Sequence, residues 1–230
     1  MHRTYALDPN FRIEVLPASP ALPPAVESRI DAIWRTAQDA QPALYNGRIY
    51  SLVERRPEHL AVHALEYRLL LAQRRTPELK SVLAVRPIGV TGLLTGRDGL
   101  VLGYRAKHVM ADADLWEPAP AGSLARLEPH EQILEELKEE LGVDRSKIQP
   151  PRVLGLVEDA TSSVIDIVFR IETDLSAEAL HAAWQNHGSD EYAEVRVVPP
   201  AELPRFLAEH HGRLLHALEP MLRLGGFLPS

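Results

Sequence analysis

Three glutamates near the middle of the chain have the spacing of a metal-binding cluster. Glu136, Glu139 and Glu140 lie in the segment EELKEELGV, and residues at i, i+3 and i+4 share one face of a helix. Like charges at this spacing repel, and Gly142 predicts a helix end where the helix dipole disfavours acids. A bound divalent cation would reverse both penalties, because hard cations prefer clustered oxygen ligands. A solvated acidic helix face is the alternative interpretation of the same spacing.

The composition limits which metals and partners the chain can have. It holds 230 residues without a single cysteine, so a metal must be bound by carboxylate, carbonyl or imidazole groups. Acidic oxygen ligands favour Mg²⁺, or Mn²⁺. The net charge of −7 argues against a broad nucleic-acid or membrane surface, but not against a phosphate-bearing small molecule. No apolar run reaches the roughly 20 residues of a membrane helix, and no apolar signal core opens the chain, so we expect a cytoplasmic protein.

A helix over residues 130–141 would position the glutamates. Its apolar positions form one stripe beside the acidic face, which predicts that the stripe packs on a core: Ile133, Leu134, Leu137 and Leu141. Before this helix, the break TGRDG between two apolar runs predicts a hairpin, and a loop follows it. After the helix we expect strands at RVLGLVED, VIDIVFRIET and EYAEVRVVP, a helix at SAEALHAAWQN, and a closing helix broken near His211–Gly212.

The first 82 residues have a different pattern and predict an N-terminal α+β extension. FRIEVL predicts a strand, residues 17–26 a proline-rich crossing, and residues 26–40 a helix. The segment HLAVHALEYRLLLAQRR fits a strand or a helix equally well. We therefore divide the chain into an extension, 1–82, and a main domain, 83–230.

The stretch from Gly122 to Val143 resembles the Nudix box, the signature of the Nudix hydrolase superfamily. The matching residues are Gly122, Glu128, Glu136, Leu137, Glu139, Glu140, Gly142 and Val143. Two features depart from the family pattern. The spacing after Glu128 is one residue shorter, and Glu135 occupies the place of an arginine that braces the loop by pairing with the first glutamate of the box.

The resemblance implies an α/β/α sandwich with a mixed β-sheet. It also implies magnesium-assisted hydrolysis of a nucleoside diphosphate linked to another group. Transferred position by position, the metal ligands would be Glu136, Glu139, Glu140 and the main-chain carbonyl of Ala121. Many Nudix proteins are dimers, so a homodimer is one expectation for this chain.

A second resemblance concerns the substrate. Residues 30–52 are similar to the N-terminal extension of a Nudix branch that hydrolyses UDP-glucose and UDP-galactose, through Trp34, Gln41, Pro42, Leu44 and Tyr45. This branch would yield UMP and a sugar 1-phosphate. Plain core packing is the alternative explanation for the two aromatic residues. The PAGSL loop shape also admits an ADP-ribose pyrophosphatase, and the altered box admits a non-catalytic module that binds nucleotides.

The general base and the phosphate ligands are less constrained by the sequence. Glu158 follows an apolar strand and Glu191 precedes another, so each is a candidate base, and Glu139 could instead orient the attacking water. Arg86 and Arg105 are the candidate substrate-binding residues, because a guanidinium can hold two diphosphate oxygens at once. Ordinary surface roles are the alternative for each of these residues.

Overall fold

The computed structural model describes residues 2–17 and 21–229. Its strands are β1 His2–Tyr5, β2 Arg12–Val15, β3 Arg48–Arg56, β4 His59–Glu66, β5 Ile88–Thr95, β6 Leu100–Arg105, β7 Trp116–Pro118, β8 Ala121–Ser123, β9 Arg152–Asp159, β10 Ile165–Glu172 and β11 Tyr192–Val198. Its α-helices are α1 Pro24–Ala40, α2 Tyr67–Arg75, α3 Lys80–Leu83, α4 Pro129–Leu141, α5 Ala177–His187, α6 Leu203–Glu209 and α7 Leu218–Leu224.

Eight strands form one mixed sheet. The order is β1-β9-β10-β5-β6-β11, with β7 on β6 and β8 on β5. Strands β5 and β10 run parallel, whereas the other pairs are antiparallel. The predicted hairpin joins β5 to β6, where the amide of Gly96 donates to the carbonyl of Gly99.

Helices cover both faces of this sheet, which confirms the predicted α/β arrangement with a mixed sheet. On one face, Ile133, Leu137 and Leu141 of α4 and Leu180 of α5 are buried in the larger core. Helices α6 and α7 form the second core on the other face. The closing helix is broken as predicted, because a 3₁₀ turn at His211–Arg213 separates its two parts.

The extension contributes one strand to the sheet of the main domain and also forms a small sheet of its own. Strand β1 pairs with β9 at the edge of the larger sheet, and β2, β4 and β3 form a separate small sheet. The segment HLAVHALEYRLLLAQRR, which fitted a strand or a helix, forms a strand and then a helix, because β4 passes directly into α2. Trp34 of α1 packs edge-on against Tyr67, with ring centroids 6.4 Å apart. Tyr45 is 82% exposed, so core packing does not explain it.

Three expectations about connections need correction or restriction. The loop before α4 contains β7 and β8, whose short runs lack the apolar alternation that marks a strand. Helix α1 begins at Pro24, earlier than residue 26, because proline is well tolerated in the first turn. Of the proline-rich crossing, residues 18–20 lie outside the described residues. Within residues 2–17 and 21–229, no helix has both the length and the apolar character that a membrane crossing requires.

Candidate active site

A cavity of about 630 Å³ opens where β5, β8 and α4 meet the extension. Its wall includes Arg105, Glu117, Gly122, Glu136 and Glu191 from the main domain. The extension adds Tyr67, Leu70 and Arg74 from α2. The cavity therefore lies between the two parts of the chain and is lined by charged groups of both signs.

Glu136 is held against the backbone of β8. A Cβ on Gly122 would collide with the carboxyl group of Glu136, so only glycine permits this approach. Gln132, one turn earlier on α4, donates to Oε1 of Glu136 at 2.8 Å and accepts from the amide of Ala125 at 3.2 Å. Burial, and then the neighbouring carboxylates, raise the pKa of Glu136 to about 7, against the hydrogen bond from Gln132. Glu136 is thus a positioned carboxyl group in a partly dry environment.

Glu140 approaches the same strand from deeper in the core and is only 1% exposed. Its Oε2 accepts hydrogen bonds from the amide of Ala121 at 2.9 Å and from the hydroxyl of Tyr192 at 3.1 Å. Its Oε1 is buried and has no hydrogen-bond partner among the described residues. Burial first, and Glu117 second, raise the pKa of Glu140 well above its usual value. A buried carboxylate oxygen without a partner is costly unless another group binds it.

Arg105, Glu117 and Tyr192 form a buried group that we call the inner triad. Nη1 of Arg105 donates to Oε1 of Glu117 at 2.6 Å, and the Tyr192 hydroxyl lies 3.2 Å from the same oxygen. Burial lowers the pKa of Arg105, but Glu117 outweighs it and raises that pKa. Burial raises the pKa of Glu117 to about 7 even though Arg105 lowers it. The inner triad links β6, β7 and β11 to Glu140 of α4.

The Tyr192 hydroxyl lies between two carboxyl groups, those of Glu117 and Glu140. A hydroxyl carries one proton and can donate to only one of them. The second contact is favourable only while one of the two carboxyl groups is itself protonated. The raised pKa values of both glutamates agree with this count.

The structure brings Glu136 and Glu140 together but leaves Glu139 in solvent. Glu139 is exposed and does not line the cavity, although its charge helps to raise the pKa of Glu136. Within residues 2–17 and 21–229, no three Asp, Glu, His or Cys side chains are grouped closely enough to hold a metal ion. Two features nevertheless fit a hard cation: the partnerless Oε1 of Glu140, and the convergence of two carboxyl groups on Ala121–Gly122. The four predicted metal ligands remain a prediction.

Glu135, at the position where the Nudix box has an arginine, makes an ion pair with Arg126. Its carboxylate lies 2.5 Å from Nη2 of Arg126 in the loop before α4, and both side chains are more than two fifths exposed. The loop is thus linked to the helix through a pair of reversed polarity, with the acid on the helix and the arginine on the loop.

Arg86, Glu158 and Tyr5 form a second group, the outer triad. Nη2 of Arg86 donates to Oε1 of Glu158 at 3.0 Å, and the Tyr5 hydroxyl donates to Oε2 at 2.9 Å. Burial raises the pKa of Glu158, but the bonds from Tyr5 and Arg86 outweigh it and lower that pKa. Neither Arg86 nor Glu158 lines the cavity. Two predicted site residues are therefore paired with each other outside it.

Glu191 and Arg105, in contrast, both line the cavity. The Glu191 side chain is 45% exposed and lies 3.9 Å from Nη2 of Arg105. Arg105 is only 14% exposed and is held mainly by Glu117. Of the predicted candidates for general base, Glu191 is the one in the cavity wall.

Several residues in or beside the cavity wall escaped the sequence analysis. Arg74 is exposed, faces the cavity from α2, and makes no ion pair within the described parts of the chain. Glu117 and Tyr192 are acidic or polar groups beside short apolar runs, which gives little signal by itself. Asp166 offered a signal, because it is a carboxyl group inside the otherwise apolar run Val164–Phe169.

Comparison with known proteins gives likenesses of structure only. No family model and no curated protein matches the chain. Protein DR0079 of Deinococcus radiodurans is similar over 60% of this chain and 82% of its own, with 16% identity and a TM-score of 0.46. A MutT protein of Methanosarcina mazei is similar over 61% and 91%, with 18% identity and a TM-score of 0.42. The Nudix domain of Shewanella oneidensis NrtR, solved with ADP ribose, is similar over 60% and 85%, with 16% identity and a TM-score of 0.42.

Proposed function

We propose that the chain is a Nudix pyrophosphatase that hydrolyses the diphosphate of a nucleoside diphosphate-linked compound with Mg²⁺ or Mn²⁺. One observation carries this proposal. Glu136 and Glu140, two glutamates of the box-like segment, converge on Ala121–Gly122 beside a cavity of about 630 Å³, and one buried oxygen of Glu140 has no partner among the described residues.

The cation would be held by Glu136, Glu139, Glu140 and the carbonyl of Ala121. When bound, it supplies neutralisation of diphosphate charge and activation of water. The protein contributes the placement of these ligands. Gln132 fixes the carboxyl group of Glu136, while Tyr192 and the Ala121 amide fix that of Glu140.

The diphosphate would be bound by arginines from both parts of the chain. Arg105 lies in the cavity wall, but much of its charge is balanced by Glu117. Arg74 has no ion pair with any described residue and faces the cavity, so its guanidinium is available for phosphate oxygens. Arg86 would reach substrate only by leaving Glu158.

Glu191 is the preferred general base. It lines the cavity and is half-exposed, whereas each oxygen of Glu158 already accepts a hydrogen bond and Glu158 lies outside the cavity wall. Glu139 would serve as the acceptor that orients water if Glu191 does not.

UDP-glucose and UDP-galactose are the first substrates to test, and ADP-ribose is the alternative. The resemblance of residues 30–52 supports the UDP-sugars, and the exposed Tyr45 is consistent with a role other than core packing. The share of α2 in the cavity wall supports a role of the extension in recognising base or sugar. A nucleotide-binding module without catalysis is the alternative of another class.

The test is an assay with Mg²⁺ and a panel of UDP-sugars, ADP-ribose, NADH and dinucleoside polyphosphates, in which chromatography detects the mononucleotide product. Turnover of a UDP-sugar supports the whole proposal. Turnover of ADP-ribose alone overturns the UDP-sugar assignment, and binding without any product supports the module. No binding and no turnover would refute the proposal.

Variants of α4 make the assay specific to the site. We expect Glu140→Gln and Glu139→Gln each to lower kcat by a factor of about 100 or more. Glu135→Gln is the matched control on the same helix, because its partner is the exposed Arg126, and its kcat should stay within about twofold. Equal rates for all three variants would show that the cluster is not the metal site.

A further inference from the structure

Asp159 and Asp166 both line the cavity, but they differ in the hydrogen bonds that their carboxylate oxygens accept. Asp159 accepts hydrogen bonds from the amide of Thr161 and the hydroxyl of Ser162, both at 2.9 Å, and so fixes the turn between β9 and β10. This carboxylate has a structural role, and its position in the wall needs no ligand to explain it.

Asp166 has no such role. It lies on β10 between Ile165 and Ile167, whose side chains are buried in the larger core. Its Oδ1 accepts one bond from the hydroxyl of Thr91, at 3.3 Å, and its Oδ2 accepts none from the described residues. Burial first, and Glu117 second, raise the pKa of Asp166 to about 7. Asp166 is partly exposed and lines the cavity, so its second oxygen is open to a hydrogen-bond donor from a ligand.

The surroundings of Asp166 connect it to the proposed metal end of the cavity. Gly89 is its partner across the parallel strands. A Cβ on Gly89 would collide with Oδ1 of Asp166 and would lie 3.2 Å from the carbonyl oxygen of Gly122. On its other side, Gly122 touches Glu136. Gly89 and Gly122 therefore form a surface without side chains, with Glu136 at one end and Asp166 at the other.

The chemistry of a carboxyl group limits what Asp166 can bind. Its free oxygen can accept from a hydrogen-bond donor, and its ionised form repels phosphate. Vicinal hydroxyls of a sugar offer two donors at the spacing of two carboxylate oxygens, and an acidic side chain that binds ribose hydroxyls is a common solution in nucleotide sites. A sugar is also the group that adjoins the diphosphate on either side in the proposed substrates.

We propose that Asp166, oriented by Thr91, binds a vicinal pair of hydroxyls on the sugar next to the diphosphate. The identity of the substrate rests on the proposed function, whereas the binding of a diol does not require turnover. The ribose of the nucleotide and a linked hexose share this chemistry, and the experiment distinguishes them.

The test is calorimetric titration with compounds that the enzyme would not hydrolyse. UMP, AMP and glucose 1-phosphate are each compared with their 2′-deoxy or 2-deoxy form in the presence of Mg²⁺. Loss of a hydrogen bond to a charged group weakens binding about 10-fold or more, so the wild type should prefer the hydroxylated form of one class by that factor. Preference within the nucleotide pairs identifies the ribose, and preference within the glucose phosphates identifies the hexose.

Three variants assign the preference to Asp166. Asp166→Ala should reduce it to less than about twofold, and Thr91→Val should reduce it in part. Asp39→Ala, an exposed aspartate on α1 outside the cavity wall, is the matched control and should keep it. Circular dichroism checks folding, and Thr91→Val keeps the proposal testable if Asp166→Ala does not fold.

The outcomes separate the two proposals. A preference that disappears in Asp166→Ala supports the diol site even if no substrate is turned over, in which case only the proposed activity fails. Equal affinity of the wild type for both members of every pair overturns the diol site, as does a preference that survives Asp166→Ala. Absence of binding by all six compounds also overturns it.

Discussion

The inner and outer triads are built from the same three residue types, yet they shift the pKa values of their glutamates in opposite directions. In each, one glutamate accepts a hydrogen bond from an arginine and lies within hydrogen-bond distance of a tyrosine hydroxyl. The pKa of Glu117 in the inner triad is raised to about 7, whereas that of Glu158 in the outer triad is lowered. The identity of the partners therefore does not decide the direction in which the pKa is shifted.

Burial and the distribution of donors decide it. The side chain of Glu117 is 7% exposed, and Arg105 and Tyr192 both contact its Oε1. Glu140 is a second acid on the other side of the Tyr192 hydroxyl. Glu158 is 16% exposed, its partner Arg86 is 34% exposed, and each of its oxygens has a donor of its own. The outer triad is a linkage between β1 and the main domain, while the inner triad keeps charge and a proton beside the proposed metal site.

Removing the arginine from each triad should produce the largest difference between the triads, a difference in the free energy of unfolding. Arg105→Met leaves a buried acid unpaired, so we expect a loss of about 3 kcal/mol in the free energy of unfolding at pH 8. Arg86→Met breaks a more exposed pair, and about 1 kcal/mol or less is expected. Urea denaturation of both variants, at one pH and in a chelator, measures the difference.

Arg105→Lys serves as the control for charge without the guanidinium fork, and it should recover part of the loss. Equal losses for the two methionine variants would mean that burial does not distinguish the triads, and the comparison would fail.

The pH dependence of stability should differ in sign between the triads. The folded-state pKa of Glu117, about 7, exceeds its usual value of 4.5, so the folded state holds the proton more tightly. The contribution of Glu117 to the free energy of unfolding is then greatest below pH 4.5 and falls as the pH rises through 7. The fall is about 3 kcal/mol at most for this group. Glu158 has a lowered pKa, so its contribution is present above pH 4.5 and is lost as the pH falls through the folded-state value.

Glutamine variants isolate these contributions. Glu117→Gln should reduce the fall in stability between about pH 4.5 and 7 by the share of Glu117, because Glu136 and Asp166 also have raised pKa values. Glu158→Gln should likewise reduce the loss at lower pH. Denaturant unfolding across this range, in a chelator, provides the measurement. A Glu117→Gln profile parallel to that of the wild type would contradict the raised pKa.

The two triads also show how much of the site could be predicted. The 3.6-residue period alone placed Glu136, Glu139 and Glu140 beside a buried stripe, because both features depend on neighbours along one helix. The structure brings Glu136 and Glu140 together and leaves Glu139 exposed. Arg86 and Arg105 were predicted as candidate phosphate ligands, and the structure shows each paired with a glutamate that short-range spacing did not indicate. Glu158 follows Arg86 by 72 positions, and only strand pairing brings them together.

The same limit applies to Tyr192 and Asp166. Tyr192 reaches the site because β11 pairs with β6 and places it opposite Arg105. Asp166 is opposite Gly89 because β10 runs parallel to β5. Register between distant strands is set by the packed sheet, and short-range spacing does not contain it. Most helices and strands of the main domain were predictable from their own periodicity, although β7 and β8 were not, and the α/β/α arrangement was implied by the resemblance to the Nudix box.

The smallest expected difference concerns the two tyrosines, and it tests whether the inner triad contributes to catalysis. Tyr192→Phe removes one of the two donors to Oε2 of Glu140, so we expect kcat to fall about tenfold with little change in KM. Tyr5→Phe removes a donor of the same kind from Glu158, outside the cavity wall, and should leave kcat within about twofold. Both variants should lose roughly 1 kcal/mol of stability, so stability cannot account for a difference in rate. If both variants kept the wild-type kcat, the placement of Glu140 would not depend on Tyr192, and the inner triad would be a structural linkage like the outer one.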